Sequence, residues 1–147
     1  MNKKYFFLSF IVLFILEFFL LEGSGTYPFP EAFLPLVFLS IENPYAPLKA
    51  FLLGVLMDLS ANTFGIFTFS YTFYTILARF LFSYTIDFED DYLKLPAFSV
   101  FDILVKITNV AIIYIKYGYI RIGFISFAMA VLVDCLIFLA LNMFYKK

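Results

Sequence analysis

The chain contains no histidine and no tryptophan, and Cys135 is its only cysteine. A metal site built from cysteine and histidine ligands is therefore excluded, as is a disulfide within the chain. Cys135 lies in an apolar run, which is typical of a buried, unreactive thiol. Charged residues make up only 14% of the 147 residues, and the formal net charge is −1. The sequence thus has no basic surface for nucleic acid, and no nucleic-acid partner is expected.

Sequence motifs of catalysis are missing as well. There is no glycine-rich phosphate loop, no G-x-S-x-G, no H-E-x-x-H and no paired Ser/Lys motif. We therefore predict that the chain is not an enzyme and has no catalytic residue, cofactor or metal.

Apolar residues are abundant instead. They make up 64% of the chain, aromatic residues make up 23%, and the mean hydropathy is +0.98. A soluble domain is closer to half apolar and a quarter charged, so lipid is expected around most of this chain. At about 20 residues for each transmembrane helix, the length allows roughly five to seven spans. The prediction is an all-α polytopic membrane protein with a single transmembrane domain, residues 1–147.

Apolar runs separated by turn-like segments predict six transmembrane helices. The first follows Lys3 and Lys4 and is expected to stay uncleaved, because its apolar run is long for a signal sequence and no cleavage site follows it. The second is the weakest span, since it is short for a bilayer and Pro35 should kink it. The one strongly charged loop is 87–96. The five helices after the first are predicted at about 30–42, 48–60, 64–86, 97–115 and 119–144.

The distribution of basic residues supports six spans with both termini in the cytoplasm. In that arrangement only Lys116 and Arg121 lie outside, while Lys106 lies within helix 5. If helix 2 did not span, helices 3 to 6 would invert and the C-terminal lysines would lie outside. The seven basic residues on the cytoplasmic side are Lys3, Lys4, Lys49, Arg79, Lys94, Lys146 and Lys147.

Acidic residues within or near the predicted spans are costly and need a reason. Glu17 and Glu31 fall near the outer ends of helices 1 and 2, so we expect headgroups and water to solvate them. Asp102 and Lys106 are four residues apart on helix 5. This spacing favours an internal ion pair over a proton relay.

Two further acids, Asp58 and Asp134, share a local pattern. Each follows small residues at four and eight positions earlier, as Gly54 and Ala50 precede Asp58. Small residues on one helix face let a second helix pack closely, so the acid would be held against protein rather than lipid. No role is assigned to Asp134 from the sequence.

The segment LLGVLMDLSANTFG, residues 52–65, resembles the signature of the MreD rod shape-determining family. That signature has a glycine, three apolar residues, an aspartate and a short polar turn before Leu-Gly. Gly54, Asp58 and Gly65 match it, whereas Phe64 stands where leucine is usual and no proline precedes it.

A second stretch, PEAFLPLVFLSI, is similar to the start of the family's second helix. It begins at Pro30, and Glu31 stands in place of the family's aspartate. The resemblance covers most of the chain in layout and about 35 residues in motif, namely Pro30–Gly65.

The resemblance implies a non-enzymatic, multi-pass subunit of the cell-elongation machinery in the bacterial cytoplasmic (inner) membrane. Such proteins bind the bitopic protein MreC. Through it they are linked indirectly to MreB filaments and to the peptidoglycan synthases, RodA and its transpeptidase. The implied fold resembles the substrate-binding subunits of energy-coupling-factor vitamin transporters. A monomer and a homodimer are both compatible with the sequence.

The preferred hypothesis is a scaffold in which helices 3 and 4 form a rigid hairpin. Asp58 would pin this hairpin, accept hydrogen bonds from the turn residues Ser60, Asn62 and Thr63, or bond to a partner. Threonines at helical spacing on helix 4, followed by Arg79, favour a packing face over a substrate path. The surface expected to dock the single helix of MreC is the aromatic and polar face of helix 4: Phe67, Thr68, Tyr71, Thr72, Tyr74 and Thr75.

Two other functions remain as alternatives. One is a vitamin-capturing transporter subunit, although no alanine precedes Ala32 and the outer loops leave little material for a ligand lid. The other is a proton-coupled transporter, which would need Glu17, Asp58, Asp102 and Asp134 on one water-filled path.

Overall fold

A computed structural model describes residues 3–24, 30–61, 63–85, 91–118 and 123–145. Over these ranges the chain is all-helical, as predicted, and has no strand. Two of the helices, over Leu93–Tyr117 and Phe124–Phe144, are long and apolar enough to cross a membrane. The helices in chain order are α1 Lys3–Ser24, α2 Phe33–Leu39, α3 Ala46–Ser60, α4 Ile66–Thr85, α5 Asp91–Tyr117 and α6 Phe124–Tyr145.

The short helix α2 lies at the centre of the bundle. It contacts each of the five other helices, and residues 31–38 are all buried. Its seven residues extend only about 10 Å, far less than the hydrocarbon thickness of a bilayer. Pro35 lies in the first turn, where a proline removes no helical hydrogen bond, so it marks the start of α2 rather than a kink.

Three helix ends meet at one end of the bundle. The rings of Tyr5 on α1 and Phe144 on α6 pack edge to face with centroids 5.6 Å apart. The Nζ of Lys49, near the start of α3, lies 4.2 Å from the centroid of the Phe6 ring on α1. The chain therefore returns to the end where α1 begins before α3 starts, even though α2 is short. Protein surrounds the segment that makes this return, since residues 31–38 are all buried.

Helix α5 begins earlier than the sequence predicts. It starts at Asp91 and includes Pro96, so the predicted loop 87–96 is wrong over its second half. The sequence predicts a helix boundary at this proline, but the proline removes only one backbone hydrogen bond, and α5 continues through it.

Aromatic side chains fill the core on one side of α2. The ring of Phe38 packs edge to face against those of Phe98, Phe101 and Phe138, at centroid distances of 5.4 to 5.6 Å. Phe98 and Phe138 stack at 4.6 Å. Phe98 lies one turn before Asp102, and Phe138 lies one turn after Asp134, so this aromatic cluster closes one side of the polar centre.

Helix α1 packs mainly on α2 and leaves an apolar groove on each side. The groove between α1 and α6 has a volume of about 340 Å³, and the groove between α1 and α3 has a volume of about 430 Å³.

Candidate functional site

Asp58 joins the end of α3 to the start of α4. Its Oδ1 accepts hydrogen bonds from the Phe67 N–H at 3.0 Å and the Thr63 hydroxyl at 2.7 Å. Its Oδ2 accepts from the N–H of Thr68 at 3.0 Å and from the Thr68 hydroxyl at 2.5 Å. The first N–H groups of a helix have no partner within it, and the positive end of the helix dipole favours a carboxylate there. Asp58 therefore caps α4 from the neighbouring helix.

This capping explains how an acid is held near the C-terminal end of α3, a position that is electrostatically unfavourable. The Asp58 side chain is 6% exposed and is directed at the N-terminus of α4. Of the turn residues expected to donate to it, Thr63 does so. Ser60 is exposed, and Asn62 lies outside the described residues.

Gly54 allows the close approach of α3 and α4. A Cβ added there would lie 2.6 Å from the Cα of Thr68 and 2.9 Å from the carbonyl oxygen of Phe67. Both atoms belong to the backbone, so they could move only if the two helices separated. Gly65 precedes α4 with φ of +79°, a left-handed conformation that favours glycine. Gly54, Asp58 and Gly65 thus act in one joint, which we call the α3–α4 joint.

A second polar site lies in the middle of the bundle, around Lys106. The Lys106 Nζ donates hydrogen bonds to Asp102 Oδ1 at 2.7 Å, to Glu31 Oε2 at 2.9 Å and to Asp134 Oδ2. All four side chains are fully buried. The predicted ion pair of Asp102 and Lys106 is present, but it is part of a larger group. We call these four residues the charge cluster.

Carboxylates of the neighbouring helices also hold the start of α2. Asp134 Oδ1 accepts a hydrogen bond from the Glu31 N–H at 2.8 Å, and Glu17 Oε2 accepts one from the Ala32 N–H at 2.5 Å. Asp134, to which the sequence assigned no role, therefore links α6 to both Lys106 and the backbone of α2.

The prediction that Glu17 and Glu31 are solvated at the outer ends of their helices is wrong. Glu17 is 2% exposed and Glu31 is 0% exposed. The reason is that α2 begins inside the bundle rather than at the membrane surface. The N–H groups of Glu31 and Ala32, just before α2, need acceptors there, which Asp134 and Glu17 supply, while the Glu31 carboxylate bonds to Lys106.

Hydrogen-bond donors from α4 and α5 complete the surroundings of Glu31. Its Oε1 accepts from the Tyr71 hydroxyl at 3.1 Å and lies 3.5 Å from the Asn109 amide nitrogen. Within the described ranges, Oδ2 of Asp102 and Oε1 of Glu17 are buried without a hydrogen-bond partner.

The charge balance of this region is negative. Glu17 and the three carboxylates of the charge cluster face a single buried ammonium, that of Lys106. Uncompensated charge is very costly in a low-dielectric interior.

The three acids of the charge cluster are close enough to hold a cation. One oxygen from each of Glu31, Asp102 and Asp134 lies within 4.8 Å of the others. Lys106 donates to all three, so its ammonium takes the central position that a metal ion would occupy. The arrangement serves to lock α2, α5 and α6 together.

The face of α4 that was expected to dock a partner lies mostly inside the bundle. Phe67 is 1% exposed, and Tyr71 and Thr75 are 0% exposed. The prediction that this face is open to a partner protein is therefore wrong. The cause is that aromatic residues occupy all sides of α4, so the sequence does not distinguish its inner face from its outer face.

Two hydroxyl groups on this side of α4 bond within the protein, while the Thr75 hydroxyl is buried without a hydrogen-bond partner among the described residues. The Thr72 hydroxyl donates to the carbonyl oxygen of Thr68 at 2.7 Å. The hydroxyls of Tyr74 and Thr108 are 2.6 Å apart, which links α4 to α5. These contacts agree with the prediction that the threonines of α4 form a packing face rather than a substrate path.

The outer face of α4 is a different, apolar stripe. Its members recur every three or four residues, are about half exposed, and include a stacked pair, Phe69 and Phe73, with ring centroids 5.7 Å apart. We call this surface the α4 stripe, and its residues are Phe69, Phe73, Ile76 and Phe80.

Pro30 and Cys135, which the sequence also indicates, belong neither to the α3–α4 joint nor to the charge cluster. Pro30 is half-buried directly before Glu31. Cys135 is partly buried, and its Sγ lies 3.3 Å from the hydroxyl of Ser99.

Comparison with protein-family models, with curated proteins and with solved structures finds no match to this chain. The resemblance to the MreD family therefore rests on the motif residues in the α3–α4 joint and at the start of α2.

Proposed function

We propose that this chain is a non-enzymatic scaffold subunit of the bacterial cell-elongation complex, of the MreD kind, which binds MreC in the inner membrane. The observation that carries the proposal is the α3–α4 joint. The three residues that match the family motif, Gly54, Asp58 and Gly65, each have a structural reason to be there. A motif that fixes two helices rigidly against each other suits a protein whose task is to present a surface.

The charge cluster also supports a structural role. Its side chains bond to one another and to the backbone of α2, and none of them is exposed. A catalytic cleft or a proton path would leave some of these groups open to substrate or water. The two grooves beside α1 are almost entirely apolar, with Ser9 in one lining and Lys49 in the other, so neither offers the several convergent polar groups that orient a vitamin-like ligand.

The chain is proposed to cross the inner membrane six times, with both termini in the cytoplasm. The contact between Tyr5 and Phe144, near the two ends of the chain, supports an even number of crossings. The segment that contains α2 makes the second crossing within protein. Lys49 lies at the end where α1 begins, whereas Lys116 lies at the opposite end beside Phe64, in keeping with the positive-inside rule.

The α4 stripe is proposed as the surface that docks the transmembrane helix of MreC. Its aromatic side chains offer large contact areas with little rotamer entropy to lose, and the α3–α4 joint holds the helix that carries them. MreB, RodA and its transpeptidase would be reached indirectly through MreC.

Co-purification tests this function. MreC is expected to co-purify with the full chain, and the double change Phe69→Ala and Phe73→Ala should reduce its recovery strongly. Phe124→Ala is the matched control, because Phe124 is 86% exposed but lies on α6. Failure of MreC to co-purify with the unaltered chain would contradict the proposal. A tightly bound, stoichiometric small molecule in mass spectrometry would instead favour the transporter subunit.

A further inference from the structure

The groove between α1 and α3 combines an apolar wall with a single charged residue. Its volume is about 430 Å³, and aromatic rings of α1 face aliphatic side chains of α3 across it. Phe6 and Phe10 line one side, and Leu52 and Leu56 line the other. Lys49 is the only charged residue in the lining.

The position of the Lys49 ammonium suits an ion pair with an anion, and no described residue supplies that anion. Its Nζ lies 4.2 Å from the centroid of the Phe6 ring, and the side chain is partly buried. No carboxylate in the described ranges lies within ion-pair distance of it. An ammonium that is partly removed from water and faces only a ring gains more from a nearby negative charge than an exposed lysine does.

Two helix starts add positive potential at the same end of the groove. Lys49 is the fourth residue of α3, and it meets Phe6, the fourth residue of α1. The positive ends of both helix dipoles are therefore directed to this region.

We propose that this groove binds one acyl chain of an anionic phospholipid, with the headgroup phosphate against Lys49. The apolar walls match the acyl chain, and the ammonium with the two helix starts matches the negative headgroup. Basic pockets between transmembrane helices on the cytoplasmic side are a known form of anionic-lipid site. A zwitterionic lipid with the same acyl chains fits the apolar walls, but its headgroup carries no net negative charge to attract the Lys49 ammonium. The site does not depend on MreC binding.

Native mass spectrometry of the full chain, purified in detergent, tests the site. The probes are phosphatidylglycerol and phosphatidylcholine with identical acyl chains. The unaltered chain is expected to retain phosphatidylglycerol about fivefold more strongly, the value that corresponds to one lysine near a lipid headgroup. Lys49→Gln should abolish this preference, and Lys49→Arg should keep it.

Two further variants separate the groove from general charge effects. Lys116→Gln removes an exposed lysine at the other end of the bundle and should leave the preference unchanged. Leu52→Trp places a larger side chain at a half-exposed groove position and should lower the retention of both lipids. The gel-filtration profile shows that each variant is folded.

Four results would overturn the site. Equal retention of the two lipids by the unaltered chain would show that the headgroup is not selected. A preference that survives Lys49→Gln, or that Lys116→Gln removes equally, would show that Lys49 is not the contact. Unchanged lipid retention in Leu52→Trp would show that the acyl chain lies elsewhere.

Discussion

The Oδ1 of Asp58 lies 3.0 Å from the backbone nitrogen of Phe67, so a carboxylate at the end of one helix caps the start of the next. The cap replaces the hydrogen bonds that the first turn of α4 cannot make within its own helix. The same carboxylate accepts from two threonine hydroxyls, which fixes its position. The connection between α3 and α4 is therefore a defined joint, and its parts can be tested one at a time.

Removal of the cap should destabilise the protein. Asp58→Ala leaves the first N–H groups of α4 without an acceptor and is expected to lower the free energy of unfolding by about 2 to 3 kcal/mol. Asp58→Asn keeps an acceptor oxygen but loses the charge, so its effect should be smaller. Denaturant unfolding in mixed micelles gives these values. Ser60→Ala, at an exposed position of the same turn, is the control. If Asp58→Ala unfolds like the unaltered chain, the capping role is wrong.

The α3–α4 contact should not tolerate a side chain at Gly54. Replacing a mid-helix glycine with alanine would by itself stabilise a helix by about 1 kcal/mol. Overpacking typically costs about 1 to 3 kcal/mol, and here the added Cβ meets backbone atoms at 2.6 and 2.9 Å. We expect the clash to prevail, so that Gly54→Ala lowers the thermal midpoint.

Gly123→Ala is the matched control for this change. A Cβ at Gly123 would lie 3.2 Å from the hydroxyl oxygen of Ser126, which can rotate away. Its thermal midpoint should stay close to that of the unaltered chain. A higher midpoint in Gly54→Ala than in the unaltered chain would show that helix propensity outweighs the close approach.

The α3–α4 joint was largely predictable from the sequence, because it is local. Gly54 and Asp58 are one helical turn apart and the turn that follows is short, which favoured the next helix as the packing partner, although a bond from Asp58 to a partner stayed open and its capping of the Phe67 and Thr68 N–H groups was not predicted. The charge cluster was not predictable in the same way. Its members come from α5, α6 and the segment just before α2, and periodicity within one helix identifies only the spacing of Asp102 and Lys106.

The position of Glu31 shows where sequence reasoning failed and why. An acid at the start of an apolar segment indicates a membrane surface only if that segment crosses the bilayer. Helix α2 is seven residues long and begins inside the bundle, so the same acid is fully buried. One available signal was the number of acids: Glu17, Glu31, Asp102 and Asp134 outnumber Lys106, the one lysine placed in the interior of a predicted span, and buried acids need nearby donors.

Removal of Lys106 should be the most damaging change in the charge cluster. Lys106→Met leaves three buried carboxylates without their shared donor, and breaking a buried ion pair typically costs about 3 to 5 kcal/mol. We expect a marked loss of folded protein in gel filtration and a lower thermal midpoint. Lys116→Met, at an exposed lysine of the same helix, should leave both measurements unchanged.

A second variant, which also removes a carboxylate, tests whether unpaired negative charge causes the loss of stability expected for Lys106→Met. Lys106→Met combined with Asp102→Asn leaves fewer unpaired negative charges in the same place. This double variant should be more stable than Lys106→Met alone. If the two changes add independently, the loss in Lys106→Met comes from packing of the lysine chain rather than from its charge.

Two substitutions of Glu17 distinguish the contribution of its hydrogen bond to stability from the contribution of its charge. Its Oε2 accepts from the Ala32 N–H at 2.5 Å, while its Oε1 is buried without a described partner. Glu17→Gln keeps the acceptor for Ala32 and removes one of the excess negative charges, so stability should change by less than about 1 kcal/mol. Glu17→Leu removes the acceptor as well and should cost about 1 to 2 kcal/mol. Thermal midpoints of the two variants, with Glu42→Gln as an exposed control, give the comparison. An equally large loss in Glu17→Gln and Glu17→Leu would mean that the carboxylate charge itself, rather than the hydrogen bond to the Ala32 N–H, holds α1 in place.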